Sequence, residues 1–290
     1  MIRSMTAFAR REDQHQAGQL SWELRTLNHR YLEISPHLPE DLRPIEPEVR
    51  ARINRRLGRG KVDLTLKFRA APGASGGTPK LNEPYVAQLV ALHRELSGRL
   101  GADAAAAQVT DLLHWPGVVQ EPDPDMTPVR ERALTLLDEA LDDLVATRER
   151  EGAGLAAVIR DRLERLEAQV KEVRALLPEI RDHFRKRLAD RLAEAAGELE
   201  PGRLEQEIAL LAQKMDVDEE LDRTLTHAAE IRRVLELDEP VGRRLDFLMQ
   251  ELNREANTLG SKSPDSRLSQ ASVELKVLIE QMREQVQNIE

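Results

Sequence analysis

The sequence predicts an α+β protein: an N-terminal mixed sheet-and-helix domain followed by a long-helix all-α portion with extended helical hairpins. Up to about residue 70 the apolar residues recur with a period near two, whereas from Pro128 onward they recur at steps of three and four. Aromatic residues make up 3% of the chain, which suits helix packing through Leu, Val and Ala better than a β-sandwich core. At 290 residues the chain can bury a sizeable core and hold more than one domain. Residues 1–127 are expected to form the α+β domain, 128–237 a helical hairpin or arm region, and 238–290 a C-terminal helical domain.

Leu20, Trp22 and Leu24 open one strand, and Leu32 and Ile34 resume the same parity. Between them the alternation would put Asn28 and Arg30 on the apolar side, so a bulge or turn is expected at 27–29. Residues 39–57 read as a helix stopped by Gly58-Arg59-Gly60. Val62, Leu64, Leu66 and Phe68 then alternate with Asp63, Thr65, Lys67 and Arg69, the pattern of a half-buried strand. Residues 72–79, rich in Gly, Ala and Ser, form a loop. Helices are expected over 83–100, with Val86, Leu89, Val90, Leu96 and Leu100 apolar, and over 104–114. Trp115-Pro116-Gly117 and residues 121–128 are turn-rich.

Long helices follow, with few breakers beyond Gly152, Gly154, Pro178, Gly197, Pro201 and Gly202. Gly152-Ala153-Gly154 lacks the preceding strand, third Gly and acidic partner of a dinucleotide site and reads as a helix junction. Leu155, Val158, Ile159, Leu163, Leu166, Val170, Val173 and Leu176 form a seam that would reach roughly 30 Å, expected to be an arm or subunit contact. Two amphipathic helices complete the chain. In the first, over 241–259, Val241, Leu245, Leu248, Leu252, Ala256 and Leu259 are the apolar stripe. After a break at 260–265, Leu268, Ala271, Leu275, Leu278, Met282, Val286 and Ile289 repeat it over 268–290.

Composition removes several classes of chemistry. No cysteine is present, which excludes disulfides, thiolate zinc sites and cysteine nucleophiles. P-loop, HExxH and GxSxG motifs are absent. No run of eighteen apolar residues and no signal segment occur, so a soluble, cytoplasmic protein is expected. The net charge of −9 argues against diffuse affinity for nucleic acid. Residues 1–70, however, carry 14 Lys and Arg against 9 Asp and Glu, a balance of +5 that leaves −14 on the rest. Focused in one cleft, that basic end can still bind RNA.

The polar faces of the last two helices are chemically expensive. Asp246, Gln250, Asn253 and Asn257 form one row, with Glu251, Arg254, Glu255 and Thr258 beside it. Asn costs roughly 0.7 kcal/mol against Ala inside a helix, and Glu251 with Glu255 at i,i+4 repel each other. Asp246, Glu251 and Glu255 suit Mg²⁺ or Mn²⁺, which can activate water or stabilise a leaving oxygen. Arg254 and Lys262 could then hold an anionic transition state, and Asn253 or Asn257 could orient water or ribose. The same side chains would equally serve an interhelical ion-pair and amide network, each exposed pair worth at most about 1 kcal/mol. Arg283, Glu284, Gln285, Gln287, Asn288 and Glu290 pose the same choice. His227, downstream of Asp216, Asp218, Glu219, Glu220 and Asp222, is a candidate general acid or base, or a surface histidine beside a solvated acidic face. Arg25, Asn28, His29, Arg30, Tyr31, Arg59 and Lys61 combine cations for phosphate with a ring for stacking, the best RNA-contact set; charges guarding an edge strand are the alternative.

The run Gly242-Arg243-Arg244-Leu245-Asp246-Phe247-Leu248-Met249-Gln250-Glu251-Leu252-Asn253-Arg254-Glu255-Ala256-Asn257-Thr258, then Ser261-Lys262 and Arg283-Glu284-Gln285-Val286-Gln287-Asn288-Ile289-Glu290, resembles the C-terminal signature of the bacterial YicC-like endoribonucleases. Met1-Ile2-Arg3-Ser4-Met5-Thr6, Glu23-Leu24-Arg25, Asn28-His29-Arg30-Tyr31-Leu32 and Arg59-Gly60-Lys61-Val62 resemble the other end of the same family. Ala7 stands where the family carries Gly, and Thr224 and Thr226 replace its Leu and Ser before His227. The resemblance implies an RNA endonuclease assisted by a divalent metal, acting on single-stranded or small regulatory RNA. It also implies a homo-oligomer, a hexamer, that takes RNA into an internal channel. A noncatalytic RNA-binding adaptor, a purely structural oligomer, and metal-free cleavage assisted by His29 or His227 remain the alternatives.

Overall fold

The computed structural model describes residues 2–71, 80–101, 108–120, 125–195, 216–262 and 265–290. The loop expected at 72–79, the first part of the helix expected over 104–114, the first half of the turn at 121–128, the breakers Gly197, Pro201 and Gly202, and Ser263-Pro264 lie outside the described residues.

The period-two region forms a four-stranded sheet of β1 (Ala7–His15), β2 (Gly18–Leu27), β3 (Leu32–His37) and β4 (Gly60–Ala70), in the order β1-β2-β4-β3. β2 is antiparallel to both β1 and β4, while β3 runs parallel to β4, so the sheet is mixed. The chain turns after Leu27 as the parity break required. Between β3 and β4, a 3₁₀ turn (Glu40–Ile45) and α1 (Glu46–Arg56) make the crossover. Trp22, Leu24, Val62, Leu64 and Leu66 cover one face and bury against Leu42, Val49, Ile53 and the first part of a very long helix. Trp22 Nε1 donates to the Ala133 carbonyl at 2.8 Å, which fixes that helix on the sheet. Phe8, Arg25 and Lys67 lie exposed on the other face.

A small appendage follows: β5 (Lys80–Leu81), α2 (Glu83–Leu100), α3 (Val109–Leu113) and β6 (Val119–Gln120). Asn82 caps α2 by accepting from Tyr85 N. None of the eighteen residues of α2 is buried.

The long helix is α4 (Thr127–Ala195), 69 residues and about 100 Å. It runs through Gly152, Gly154 and Pro178 without a junction. Its first part, Val129 to Leu144, belongs to the sheet core; Ala156 to Ile180 belongs to a second core with α5 (Asp218–Val234), α6 (Gly242–Lys262) and α7 (Ser266–Val286). The seam expected as a subunit contact is therefore filled from within the chain. Ile159, Leu163, Leu166, Val170 and Val173 share one core with Leu245, Leu252, Leu275 and Met282 of these helices. Only Val158 of that seam faces outward, 39% exposed.

The two cores meet at Arg148. Its side chain is 1% exposed; Nη2 pairs with Glu290 Oε2 at 2.9 Å and Nε donates to the Ser4 carbonyl. Ser4 N returns a bond to the Arg148 carbonyl, Met5 N donates to Asn288 O and Glu290 N to Arg3 O. Residues 3–5 and 288–290 thus pair as a short antiparallel ladder lying on α4. Four cations of the basic N-terminal end are used in the same cause, since Arg3 pairs with Glu149, Arg11 with Asp143, Arg52 with Asp138 and Arg56 with Asp142. Among the described residues no helix is long and apolar enough to cross a membrane.

Gly152 explains why α4 carries a glycine where it does. A methyl group there would sit on the Ile2 carbonyl oxygen, whereas at Gly154 nothing lies within 4 Å. Gly154→Ala should therefore raise stability by about 1 kcal/mol through helix propensity. Gly152→Ala should lower it by about 1–3 kcal/mol, both read from denaturant midpoints at constant m-value. Glu230 supplies a second test. Hydrogen bonds from Arg233 and Arg244 hold its carboxyl down at about 2, below the ordinary 4.5. Its support of the α5–α6 contact is complete above about pH 4.5 and disappears as the pH falls toward 2. Glu230→Gln should flatten that part of the acid-unfolding curve, and a curve superimposable on the parent's would show the pair to be idle.

Candidate active site

α5 and α6 pack antiparallel, and the ion pairs between them set the register. Lys262 Nζ lies 2.8 Å from Glu220 Oε1, Arg223 Nη1 3.7 Å from Glu255 Oε1, and Arg244 Nη2 2.7 Å from Glu230 Oε1. On α5, Glu220, Arg223 and His227 fall at i, i+3 and i+7, one stripe of the helix. On α6, Glu251, Glu255 and Lys262 fall at i, i+4 and i+11, the facing stripe. His227 and Glu251, both half-buried, occupy the register between the Arg223–Glu255 and Arg244–Glu230 pairs.

Two carboxylates in this seam are almost completely withdrawn from solvent: Glu220 is 5% and Glu255 4% exposed. Each has a partly exposed cation at its mouth, Lys262 and Arg223 respectively. Lys262 also donates to the Asp216 carbonyl at 3.0 Å. Ion pairing of this kind would by itself be a sufficient reason for Lys262, Arg223 and Glu255, because a buried carboxylate without a cation costs several kcal/mol. It leaves Glu220 Oε2 unexplained. That oxygen is buried and has no hydrogen-bond partner, unlike any other carboxylate oxygen among the described residues. A buried anionic acceptor with an open lone pair is what a water, a hard cation or a substrate hydroxyl would satisfy.

Of the residues singled out in sequence, Glu255 and Lys262 take part in the ion pairs of this seam, and His227 and Glu251 lie on the same two helical stripes. Arg254 stands at its outer rim, exposed to solvent. Asp246 is not part of it. Nine residues from Glu255, it is half a turn away around α6, where it accepts from Gln250 Nε2 at 2.9 Å and lies 3.8 Å from Arg283 Nε of α7. Asp246, Glu251 and Glu255 therefore do not converge on one ion within a chain. Among the described residues no three His, Asp or Glu side chains are gathered for a metal. Asn257 donates to Asn253 along the exposed side of α6.

The N-terminal cluster divides similarly. Asn28 Nδ2 donates to the Gln287 carbonyl at 2.6 Å, docking the β2–β3 loop on the end of α7. Arg59 Nε donates to His29 O, and His29 Nδ1 lies 3.0 Å from the Tyr31 carbonyl. These residues shape the loop. Arg30 stacks over the exposed Tyr31 ring at 5.2 Å. Arg25 stands on the open sheet face, and Lys61, next along β4, is 4.0 Å from Asp63. Arg25, Arg30, Tyr31 and Lys61 remain accessible to a polyanion. The loop thus adjoins the C-terminal end of α7.

Glu220 and Arg223 were not singled out in sequence as site residues. Their signal was present, because the i, i+3, i+7 step to His227 puts all three on one stripe.

The comparisons with known proteins agree along the whole chain. Residues 2–157 match the endoribonuclease YicC-like N-terminal region and residues 173–290 the endoribonuclease YicC-like C-terminal model. The chain is 41% identical over 290 residues to a probable endoribonuclease YicC of Haemophilus influenzae, covering all of both chains. It is 30% identical over 295 residues to a probable endoribonuclease YicC of Clostridioides difficile, again covering both in full. With both ends of the molecule matched in order and the helical signature folded as one unit, this chain belongs to the YicC-like endoribonuclease family.

Proposed function

We propose that the protein is a cytoplasmic endoribonuclease that cleaves RNA phosphodiester bonds at the α5–α6 seam, with divalent-metal assistance and within a homo-oligomer. The observation that carries the site is the unpartnered, buried Oε2 of Glu220 beside Lys262, in the seam that also buries Glu255. Family membership supplies the substrate class.

The donor set fits a hard cation of the Mg²⁺ or Mn²⁺ type, which is commonly held by one or two carboxylates, with waters and substrate phosphate completing the shell. Glu220 and Glu255 would hold it; Asp246 would not. When bound, such an ion lowers the pKa of water and neutralises charge on the phosphate oxygens. The chain's own groups supply the rest. Lys262, Arg223 and Arg254 present positive charge to the scissile phosphate as negative charge builds there. His227, in register with Glu251, is placed to move a proton at the attacking or leaving oxygen.

Self-association is supported by α2. Leu92, Leu96 and Leu100 recur at four-residue steps, each at least 55% exposed, and Val109, Leu113 and Trp115 beyond them are exposed as well. Among the described residues nothing covers this helix, and contiguous apolar surface of this kind marks an interface. We assign it to contacts between copies of this chain, in the hexamer that the family resemblance implies.

Cleavage of labelled RNA should be abolished by chelator and restored by Mg²⁺ or Mn²⁺. Glu220→Gln, Glu255→Gln and His227→Ala should each lower the rate by about 100-fold or more while circular dichroism stays unchanged. Asp246→Asn should lower it far less. Cleavage that persists in chelator yet vanishes in the histidine variant would replace the metal with imidazole chemistry, and RNA binding without cutting would make the protein an adaptor. Leu92→Ser, Leu96→Ser and Leu100→Ser combined should reduce the assembly mass measured by light scattering; an unchanged mass would remove α2 from the interface.

A further inference from the structure

We infer that Phe247 is a base-stacking position for single-stranded RNA, with Arg243 and Arg254 on either side of it along α6 holding the phosphates. The inference rests on RNA being the substrate, as proposed above, and specifies how the strand is held beside the seam.

The chain contains four phenylalanines. Phe247, in the interior of α6, is 57% exposed. It points away from the stripe of Leu245, Leu248, Leu252, Ala256 and Leu259 that packs the helical core. A single exposed ring means little by itself. Its neighbours give it meaning. Arg243 at i−4 and Arg254 at i+7 lie along the same side of the helix, one on each side of the ring.

Those two arginines differ from the others around them. α5, α6 and α7 hold eight arginines. Arg223, Arg232, Arg233, Arg244, Arg267 and Arg283 are all ion-paired. Arg243 and Arg254 have no ion pair or side-chain hydrogen bond among the described residues. In a chain of net charge −9, two guanidiniums left unneutralised beside a bare aromatic face are suited to a ligand that alternates negative charge with flat apolar rings. Single-stranded nucleic acid has that alternation, and stacking on an aromatic side chain tolerates any base. Glu251, one turn on from Phe247, leads directly from this stripe to Glu255 and Glu220. A nucleotide stacked here would deliver its phosphate to the mouth of the seam.

Binding of a labelled 2′-O-methyl oligoribonucleotide, which lacks the free 2′-hydroxyl, can be followed by fluorescence anisotropy for Phe247→Ala, Phe247→Leu and Phe247→Trp, with light scattering on each. Ala and Leu should both weaken binding by about 10-fold, and Trp should retain it. Arg243→Gln with Arg254→Gln should reduce the slope of log affinity against log salt by about 1.4. Assembly mass should not change. Wild-type affinity in the Leu variant would overturn the inference, because Leu keeps apolar contact but has no ring face. So would loss of assembly mass in the Ala variant, which would make Phe247 a contact between copies. If the unaltered protein fails to bind the oligonucleotide, the RNA reading itself falls; if it binds and Phe247→Ala binds equally well, only the stacking position falls.

Discussion

The pairing of Arg148 with both ends of the chain is the constraint on which the rest of the structure depends. α4 passes from one core to the other, and at the crossing the fully buried Arg148 guanidinium binds the Ser4 carbonyl and the Glu290 carboxylate. Burial depresses the Arg148 pKa, with Glu290 opposing that effect, and the group still carries its charge because arginine does not deprotonate in proteins. Removing one partner from a buried pair costs about 3–5 kcal/mol, so neither chain end can leave without exposing the other. Gly152, one turn further along, allows the Ile2 backbone to lie directly on the helix.

This clasp positions the candidate site indirectly. Ile289 and Val286 are held in the helical core by the same ladder, which fixes α7, and α7 supports α6. With one side of α6 occupied by α7 and its apolar stripe by the core, Glu251, Glu255 and Lys262 are left facing α5. Electrostatics then divides the helix. On the α5 side charges are buried, paired and short of one partner at Glu220. On the solvent side Arg243 and Arg254 are open. The proposed chemistry and the proposed strand contacts therefore occupy adjacent stripes of one helix, and the angle between them is set by the α-helical repeat.

Much of this was legible in the sequence where the signal was local. Alternation at Val62, Leu64 and Leu66 gave the strand and its buried face, and the three-four spacing gave α6 and α7 nearly to their ends. The helical repeat alone also separates Asp246 from Glu255 by half a turn, so the disagreement over a three-carboxylate site could have been foreseen. What could not be read was the identity of partners distant in sequence. The Leu155–Leu176 seam was recognised, but nothing local distinguishes a helix that packs on another subunit from one that packs on its own α5–α7. Glu220 was hidden because five acids within seven residues look like a solvated face; only Lys262, some forty residues on, shows that one of them is buried. The basic balance of residues 1–70 was correct as arithmetic. Much of that charge is neutralised by the acids of α4, and the accessible cations are fewer than the sum suggests.

The order in which a ribosome releases these segments gives the clasp another meaning. The sheet core needs residues 7–144 and can close while the remainder is still being made. The helical core takes Ile2 from one extreme and Ile289 from the other, so it must wait for the last residues of the signature to emerge. A chain cut short by premature termination would keep its sheet yet lack the strand that locks α7, and with it a properly seated Glu255.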